Sequence, residues 1–282
     1  MSRLTLNREQ AARCVFGSAL IIIAYRWLTH SLVHQWQQPT LFETDYDYTY
    51  WAYQCSRFAG FFVQNKAGAI LFDLLLLVST AWCCADKGRQ RLPVLFCAIW
   101  WSLYGLGYNS YVCHHTDAIV GMMVLPYAFL ARSEKGFRLS WDLFRYFCLY
   151  LYTDAFVYKA FVNGNLFWLP AGVELIKTNQ SHYMLQNPGT AWSAIYRFFI
   201  THEGLSYGCF AAAVLGQGCM AVGFFTRRFD RWLFLIPILF HTVTFLFIDV
   251  NFYELLVLNF TLLPIRDRAA LRDPVHLPVI PQ

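Results

Sequence analysis

Long apolar stretches constrain this sequence more than any other feature. A helix that crosses a bilayer needs about 20 mostly apolar residues, and eight candidate stretches occur within the 282 residues. They are centred near residues 23, 76, 100, 124, 151, 215, 240 and 257, and the last one is short. The charged fraction is 14%, whereas a soluble domain has roughly 25%. We therefore predict an all-α integral membrane protein with about eight transmembrane helices.

Basic residues cluster at every second boundary between these stretches. The triplets are Arg3/Arg8/Arg13, Lys87/Arg89/Arg91, Arg132/Lys135/Arg138, Arg227/Arg228/Arg231 and Arg266/Arg268/Arg272. Because cytoplasmic loops carry an excess of Lys and Arg, this alternation predicts eight crossings with both termini in the cytoplasm. The net charge of +5 is explained by these short clusters, so we expect no nucleic-acid partner.

The same topology leaves two long segments outside the cytoplasm, residues 35–66 and 161–203. Acidic and aromatic residues are interleaved over 41–62, which is typical of a helix that lies in or dips into the membrane interface. The second long segment contains NLFWLPAG and NPG, and we expect it to re-enter the membrane or cap the outer face. We predict one transmembrane domain over 1–265 and a Pro-rich cytoplasmic tail over 266–282.

The nine cysteines are scattered and form no CxxC pair. Spacing typical of metal ligands is therefore absent, and we expect no metal. Cys55 and Cys113 both fall in external segments, where a disulfide and two free thiols are alternatives and the free thiols are favoured.

Ionisable residues at membrane depth indicate a candidate site, because each costs roughly 2.5–3.5 kcal/mol or more. Lys159 lies near the outer end of helix five, and His115 opens helix four beside His114. His241 lies midway along helix seven. The predicted topology lets these groups share an external cavity. Removal from water disfavours a charged lysine, which would leave Lys159 an amine able to act as a base.

Structural interpretations stand beside this one. Lys159 could extend to the membrane interface or pair with Asp154. His241 could be a hydrogen-bonded packing residue, and the pair of His114 and His115 could be a polar helix start.

Further polar and small residues are assigned structural roles. Asp73 and Glu254 are intramembrane carboxylates, for which Arg26 and Arg145 are candidate countercharges. Gly216 and Gly218, in LGQGC, indicate close helix packing.

Three stretches resemble the horizontally transferred transmembrane (HTTM) domain, the membrane part of vitamin K-dependent γ-glutamyl carboxylase. They are YNSYVCHHTDAIVGMMVLPYAF, YLYTDAFVYKAFVNGNLFWLPAGVELI and LFLIPILFHTVTFLFIDVNFYELLVLNFTLLP. His115, Lys159 and His241 take the places of a family histidine, the catalytic lysine and a histidine of a late helix. The departures are His114 for an asparagine, Phe156 for a glycine, Tyr158 for the first of two lysines, and Trp168 several residues late.

The resemblance implies a membrane enzyme that uses a reduced quinone, such as a vitamin K-like hydroquinone. Lys159, His115 and His241 would be catalytic, and His114, Tyr158 and Trp168 would contact the substrate. The lysine base deprotonates the quinol, and oxygen addition then produces a strong base. Membrane lipid and a quinone reductase are the implied partners. Family carboxylases carry a large luminal domain after the membrane helices, so we do not expect this chain alone to carboxylate a protein glutamate.

A second function follows from the same resemblance. Small bacterial members of the family are tied to the maturation or export of secreted peptide toxins. The alternative is therefore a non-enzymatic maturation or export factor for a secreted peptide, and the expected location is the bacterial inner membrane. A transporter or assembly scaffold is a third hypothesis, although the inverted repeat that often marks transporters is not evident.

Overall fold

A computed structural model of the protein describes residues 5–36, 51, 55–111, 120–248 and 252–266. The main helices are α1 Arg8–Leu28, α2 Lys66–Ala85, α3 Arg91–Tyr111, α4 Val120–Val124, α5 Glu134–Val157, α6 Ala171–Gln186, α7 Ala191–Thr201, α8 Glu203–Cys219, α9 Asp230–Ile248 and α10 Tyr253–Leu258. Over this part of the chain no strand forms, and one isolated bridge joins Leu6 to Ile265. The predicted all-α class is confirmed for the described residues.

Three of these helices continue in a different helical geometry. The 3₁₀ turns Leu125–Leu130 and Asn259–Leu262 extend α4 and α10, and the π-helical turn Tyr158–Val162 extends α5. A π turn fits one additional residue into a helix and is frequent at functional sites. Lys159 belongs to this π turn.

Local sequence explains where several helices begin and end. Asn7 caps α1, because its side chain accepts from the Gln10 N–H at 2.8 Å while its own N–H donates to Gln10 Oε1 at 2.9 Å. Ser133 caps α5 by accepting from the N–H of Gly136 at 3.0 Å. After α2, Gly88 adopts a φ of +62° and donates to a carbonyl of the last turn, a helix end that favours glycine.

Four helical stretches are long and apolar enough to cross a membrane: Arg8–Gln35, Lys66–Ala85, Glu203–Phe225 and Asp230–Ile248. Val120–Leu130 and Tyr253–Leu262 are apolar helices of 10–17 residues over the part of the chain that the structure describes. The α3 and α5 helices are long, with 21 and 24 residues, and carry more polar side chains. The chain thus has the helices of an integral membrane protein, while eight crossings stay a prediction.

The surface of the bundle is also compatible with a membrane environment. Large apolar side chains are widely exposed, including Ile21 at 71%, Trp232 at 69% and Leu239 at 68%. The core contains aromatic side chains that are almost fully buried, among them Phe16, Trp101 and Trp141.

Basic residues from distant parts of the sequence meet at one end of the bundle. A single cavity there is lined by Arg8, Lys87, Arg89, Arg91, Arg132 and Arg266, which come from four of the five basic triplets. Beside this cavity, backbone hydrogen bonds join the two ends of the described chain. The N–H of Leu6 donates to the carbonyl oxygen of Pro264 at 3.0 Å. Residues of four of the five basic triplets therefore lie at the same end of the bundle.

Of the two long segments predicted to be external, the structure describes the second in full and the first only in part. Most of the predicted interfacial helix over 41–62 lies outside the described residues, as do His114, His115 and Cys113. The segment 161–203 contains α6 and α7. It packs tightly on α8, because a Cβ added to Gly172 would lie 2.4 Å from the backbone oxygen of Ser206.

Buried ion pairs connect helices that are far apart in sequence. Arg26 of α1 donates to both carboxylate oxygens of Glu254 in α10, at 2.9 and 2.8 Å, and also to the hydroxyl of Tyr108. Side-chain exposure of Arg26 and Glu254 is 3% and 0%. The expected structural pairing of Glu254 with an arginine is confirmed.

Asp73 and Arg145 have other partners than the sequence predicted. Asp73 accepts from the backbone N–H groups of Val33 and His34, at 3.1 and 2.9 Å, and lies 2.7 Å from His34 Nδ1. Arg145 donates twice to Asp230, at 2.9 and 2.6 Å. The prediction that Arg145 is the countercharge of Asp73 or Glu254 is therefore wrong. The α5 helix packs against the start of α9, and this contact places Arg145 beside Asp230.

Candidate functional site

The amine of Lys159 points into the bundle. It donates to Oε1 of Gln217 in α8 at 3.0 Å and lies 5.4 Å from the ring centre of Phe240 in α9. Phe240 is near the middle of the 19-residue α9, and Gln217 is only 3% exposed. The amine is therefore level with the middle of α9 and not with its end, and Asp154 is exposed. This geometry does not favour a lysine that only reaches for the interface.

Lys159 forms part of the wall of a cavity of about 260 Å³. The lining residues come from the π turn after α5, the 3₁₀ turn Asn165–Phe167, and helices α6, α7, α8 and α9. They are Lys159, Asn165, Gly172, Leu175, Ile176, Phe199, Ser206, Cys209, Phe210, Ala213, Val214, Phe240, Val243, Thr244, Phe247 and Ile248. Most of these side chains are apolar. Among the described residues of the wall, Lys159 is the one basic side chain.

Two hydroxyls of the wall are directed at backbone groups. Ser206 Oγ donates to the carbonyl of Phe199 at 2.5 Å, and Thr244 Oγ1 donates to the carbonyl of His241 at 3.1 Å. Their hydrogens are used within the fold, so a ligand would find them as acceptors. The wall groups able to donate to a ligand are then Lys159, the amide of Asn165 and, more weakly, the free thiol of Cys209.

His241 follows Phe240 in the sequence but is not one of the residues that line the cavity. It is 4% exposed, its Nε2 is 3.0 Å from the hydroxyl of Tyr152, and its ring meets Phe252 edge-on at 5.2 Å. Its Nδ1 has no hydrogen-bond partner among the described residues. The hydrogen bond between Nε2 and Tyr152 is consistent with a packing role for His241. The buried Nδ1 contributes no hydrogen bond to the described part of the fold.

The other sequence-predicted contacts lie elsewhere. Tyr158 and Trp168 are 53% and 50% exposed and are not part of the cavity wall. The predicted approach of His115 to Lys159, within about 10 Å, concerns a residue outside the described part and stays a prediction. Over the described residues no group of three His, Cys, Asp or Glu side chains is placed to hold a metal ion.

Sequence reasoning missed the most direct neighbour of Lys159. Gln217 lies between two glycines in LGQGC, and only the glycines were interpreted, as packing residues. That interpretation is confirmed for Gly218, since an added Cβ would lie 3.0 Å from the ring of Phe156. The signal for Gln217 was present as well: an uncharged polar side chain in an apolar span needs a partner.

No family model, no curated protein and no solved structure matches this chain.

Proposed function

We propose that this chain is a polytopic membrane enzyme that binds a lipid-soluble quinol in the cavity beside Lys159 and uses Lys159 as a base. The observation that carries the proposal is the position of the amine, in the wall of a mostly apolar cavity at the level of the middle of α9. The family resemblance implies the same lysine and the same substrate class. We also propose eight crossings of the bacterial inner membrane, with both termini in the cytoplasm.

The cavity matches a reduced quinone in chemistry. Such a molecule has a flat apolar ring system and two hydroxyl groups, and the wall offers apolar side chains with one amine. Ligand sites are commonly built in this way, from an apolar lining with few polar groups. The volume of about 260 Å³ lies just below the usual range of roughly 300–1,000 Å³ for ligand pockets, so it suits a small ring system better than a folded peptide.

The base step is a simple proton transfer. A quinol O–H bond breaks and an N–H bond forms on Lys159 Nζ, which leaves a quinolate and an ammonium. The Gln217 amide oxygen at 3.0 Å and the Phe240 ring at 5.4 Å both stabilise the ammonium that results.

Two substitutions at Lys159 test this function. Lys159→Met removes the amine, and Lys159→Arg retains a positive charge but cannot release a proton, because a guanidinium stays protonated in proteins. Both variants should lose the O2-dependent oxidation of a reduced naphthoquinone, which yields its epoxide and water, by at least about a hundredfold. The matched control is Lys177→Met, which removes an exposed lysine that pairs with Glu174 on α6. Full activity of Lys159→Arg would refute the base role.

A maturation or export factor for a secreted peptide is the competing function. It predicts that Lys159→Arg retains activity, because binding a peptide needs charge and shape but no proton transfer. The two functions are therefore distinguished by measuring, for the same three variants, the secretion of a peptide whose precursor is encoded next to this protein.

A further inference from the structure

The cavity at the basic end of the bundle has a strong positive excess. We call it the basic pocket, and it has a volume of about 260 Å³. Its described lining comprises Asn7, Arg8, Glu9, Lys87, Arg89, Arg91, Ala131, Arg132, Glu134 and Arg266. Six basic side chains face two acidic ones, which leaves an excess of four positive charges. The function proposed for Lys159 does not use this pocket.

Part of this charge is already neutralised within the fold. Glu9 accepts from Arg89 at 2.5 Å and lies 3.5 Å from Lys87 Nζ. Arg8 donates to the backbone oxygens of Phe129 and Ala131, at 2.7 and 3.1 Å. These contacts fix the floor of the pocket and bring together the beginning of α1, the segment after α2 and the end of the 3₁₀ turn that follows α4.

Three arginines remain available to a ligand. Arg91, Arg132 and Arg266 are exposed side chains of the wall, and none of them forms an ion pair or a side-chain hydrogen bond with another described residue. They come from three separate segments, so their charges are held close together by the fold and not by the local sequence. Like charges held together repel one another, and an anion placed among them relieves that repulsion.

An apolar strip begins beside the pocket. Leu92 follows Arg91 on α3 and is 78% exposed, and Phe96 and Ile99 are 37% and 41% exposed. Residues 92, 96 and 99 are spaced by four and three, so they share one face of the helix. A polar, positively charged pocket therefore adjoins an outward-facing apolar strip, an arrangement that matches the two ends of an amphiphile.

We propose that the basic pocket binds the phosphate headgroup of an anionic phospholipid, with an acyl chain along Leu92, Phe96 and Ile99. The pocket lies at the end of membrane-length helices, where headgroups are found, and basic pockets between transmembrane helices bind such headgroups. The apolar strip distinguishes a lipid from a free anion, because inorganic phosphate gains nothing from it. This site is independent of the quinol cavity.

Native mass spectrometry of the purified full chain tests the proposal. The protein is titrated with phosphatidylglycerol or phosphatidylcholine, and the fraction with retained lipid is measured. Phosphatidylglycerol should be retained preferentially, and the triple variant Arg91→Gln/Arg132→Gln/Arg266→Gln should bind it about a hundredfold more weakly at low ionic strength. The charge-matched control is Arg13→Gln/Lys135→Gln/Arg228→Gln, whose exposed residues lie outside the pocket and should change binding less than twofold.

A variant that is expected to strengthen lipid binding distinguishes the loss of a binding site from a general folding defect. Glu134→Gln removes an acid from the pocket wall and should tighten lipid binding by roughly fivefold, which a damaged fold would not do. Equal binding of the two lipids, or equal losses in both triple variants, would overturn the proposal. Displacement of the lipid by a tenfold excess of inorganic phosphate would show a soluble-anion site and would overturn it as well.

Discussion

The buried ion pair between Arg145 and Asp230 provides a sharp test of how the bundle is held together. The two side chains are 2% and 7% exposed, and two hydrogen bonds of 2.9 and 2.6 Å join them. Arg145 also donates to the carbonyl of Gly223 at 2.8 Å. Replacing Arg145 by Met would leave the Asp230 carboxylate buried and without its countercharge, which costs roughly 3–5 kcal/mol.

The same helix carries a matched control. Asp142 and Arg227 form an ion pair at 2.9 Å between the same two parts of the chain, but their side chains are 39% and 50% exposed. Exposed pairs contribute about 0.2–1 kcal/mol. Arg227→Met should therefore cost at most about 1 kcal/mol, although it removes the same type of group.

Equilibrium unfolding of the detergent-solubilised protein gives the free energies. The Arg145→Met single variant should be destabilised by about 4 kcal/mol, close to a thousandfold in the unfolding constant. The double variant Arg145→Met/Asp230→Leu should recover most of that loss, because no charge then stays buried alone. A single variant that costs less than about 1 kcal/mol, or a double variant that costs the sum of both singles, would refute the reasoning.

Two further predictions concern packing and topology. Gly121→Ala should destabilise the bundle by at least about 2 kcal/mol, since the added Cβ would lie 2.0 Å from the backbone oxygen of Glu254. Gly17→Ala should stabilise it by up to about 1 kcal/mol, as nothing lies within 4 Å of its added Cβ, and thermal unfolding of both variants makes the comparison. A cysteine at position 177 should react with an impermeant thiol reagent only from outside the cell, and one at position 135 only from the cytoplasm; the reverse pattern would overturn the proposed topology.

The positions of the helices could be predicted from the sequence, because apolar stretches and capping residues are local signals. Each of the eight predicted centres falls in or beside a helix of the described chain. The last stretch was expected to be short, and Tyr253–Leu262 is a short helix. Both Val120–Leu130 and Tyr253–Leu262 end in 3₁₀ turns, a change of helical geometry that a hydropathy pattern does not report.

The partners of the polar residues could be predicted only in part. The arginine for Glu254 was among the residues proposed, whereas His34 was not expected beside Asp73. Helical periodicity determines which residues share a face, but not which helix packs against that face. The same limit explains why Lys159 was identified from its own depth while Gln217, on a different helix, was not.

Photoaffinity labelling tests the central claim, that the Lys159 cavity is the quinol site, most directly. A photoreactive naphthoquinol should label the peptides that contain Ala213, Phe240 and Phe247, which line the cavity. Ala213→Phe, which fills the cavity, should remove this labelling, and protection by unlabelled naphthoquinol should do the same. Labelling that persists in Ala213→Phe, or that falls instead in the apolar crevice lined by Ile21, Ile238 and Val257, would contradict the account.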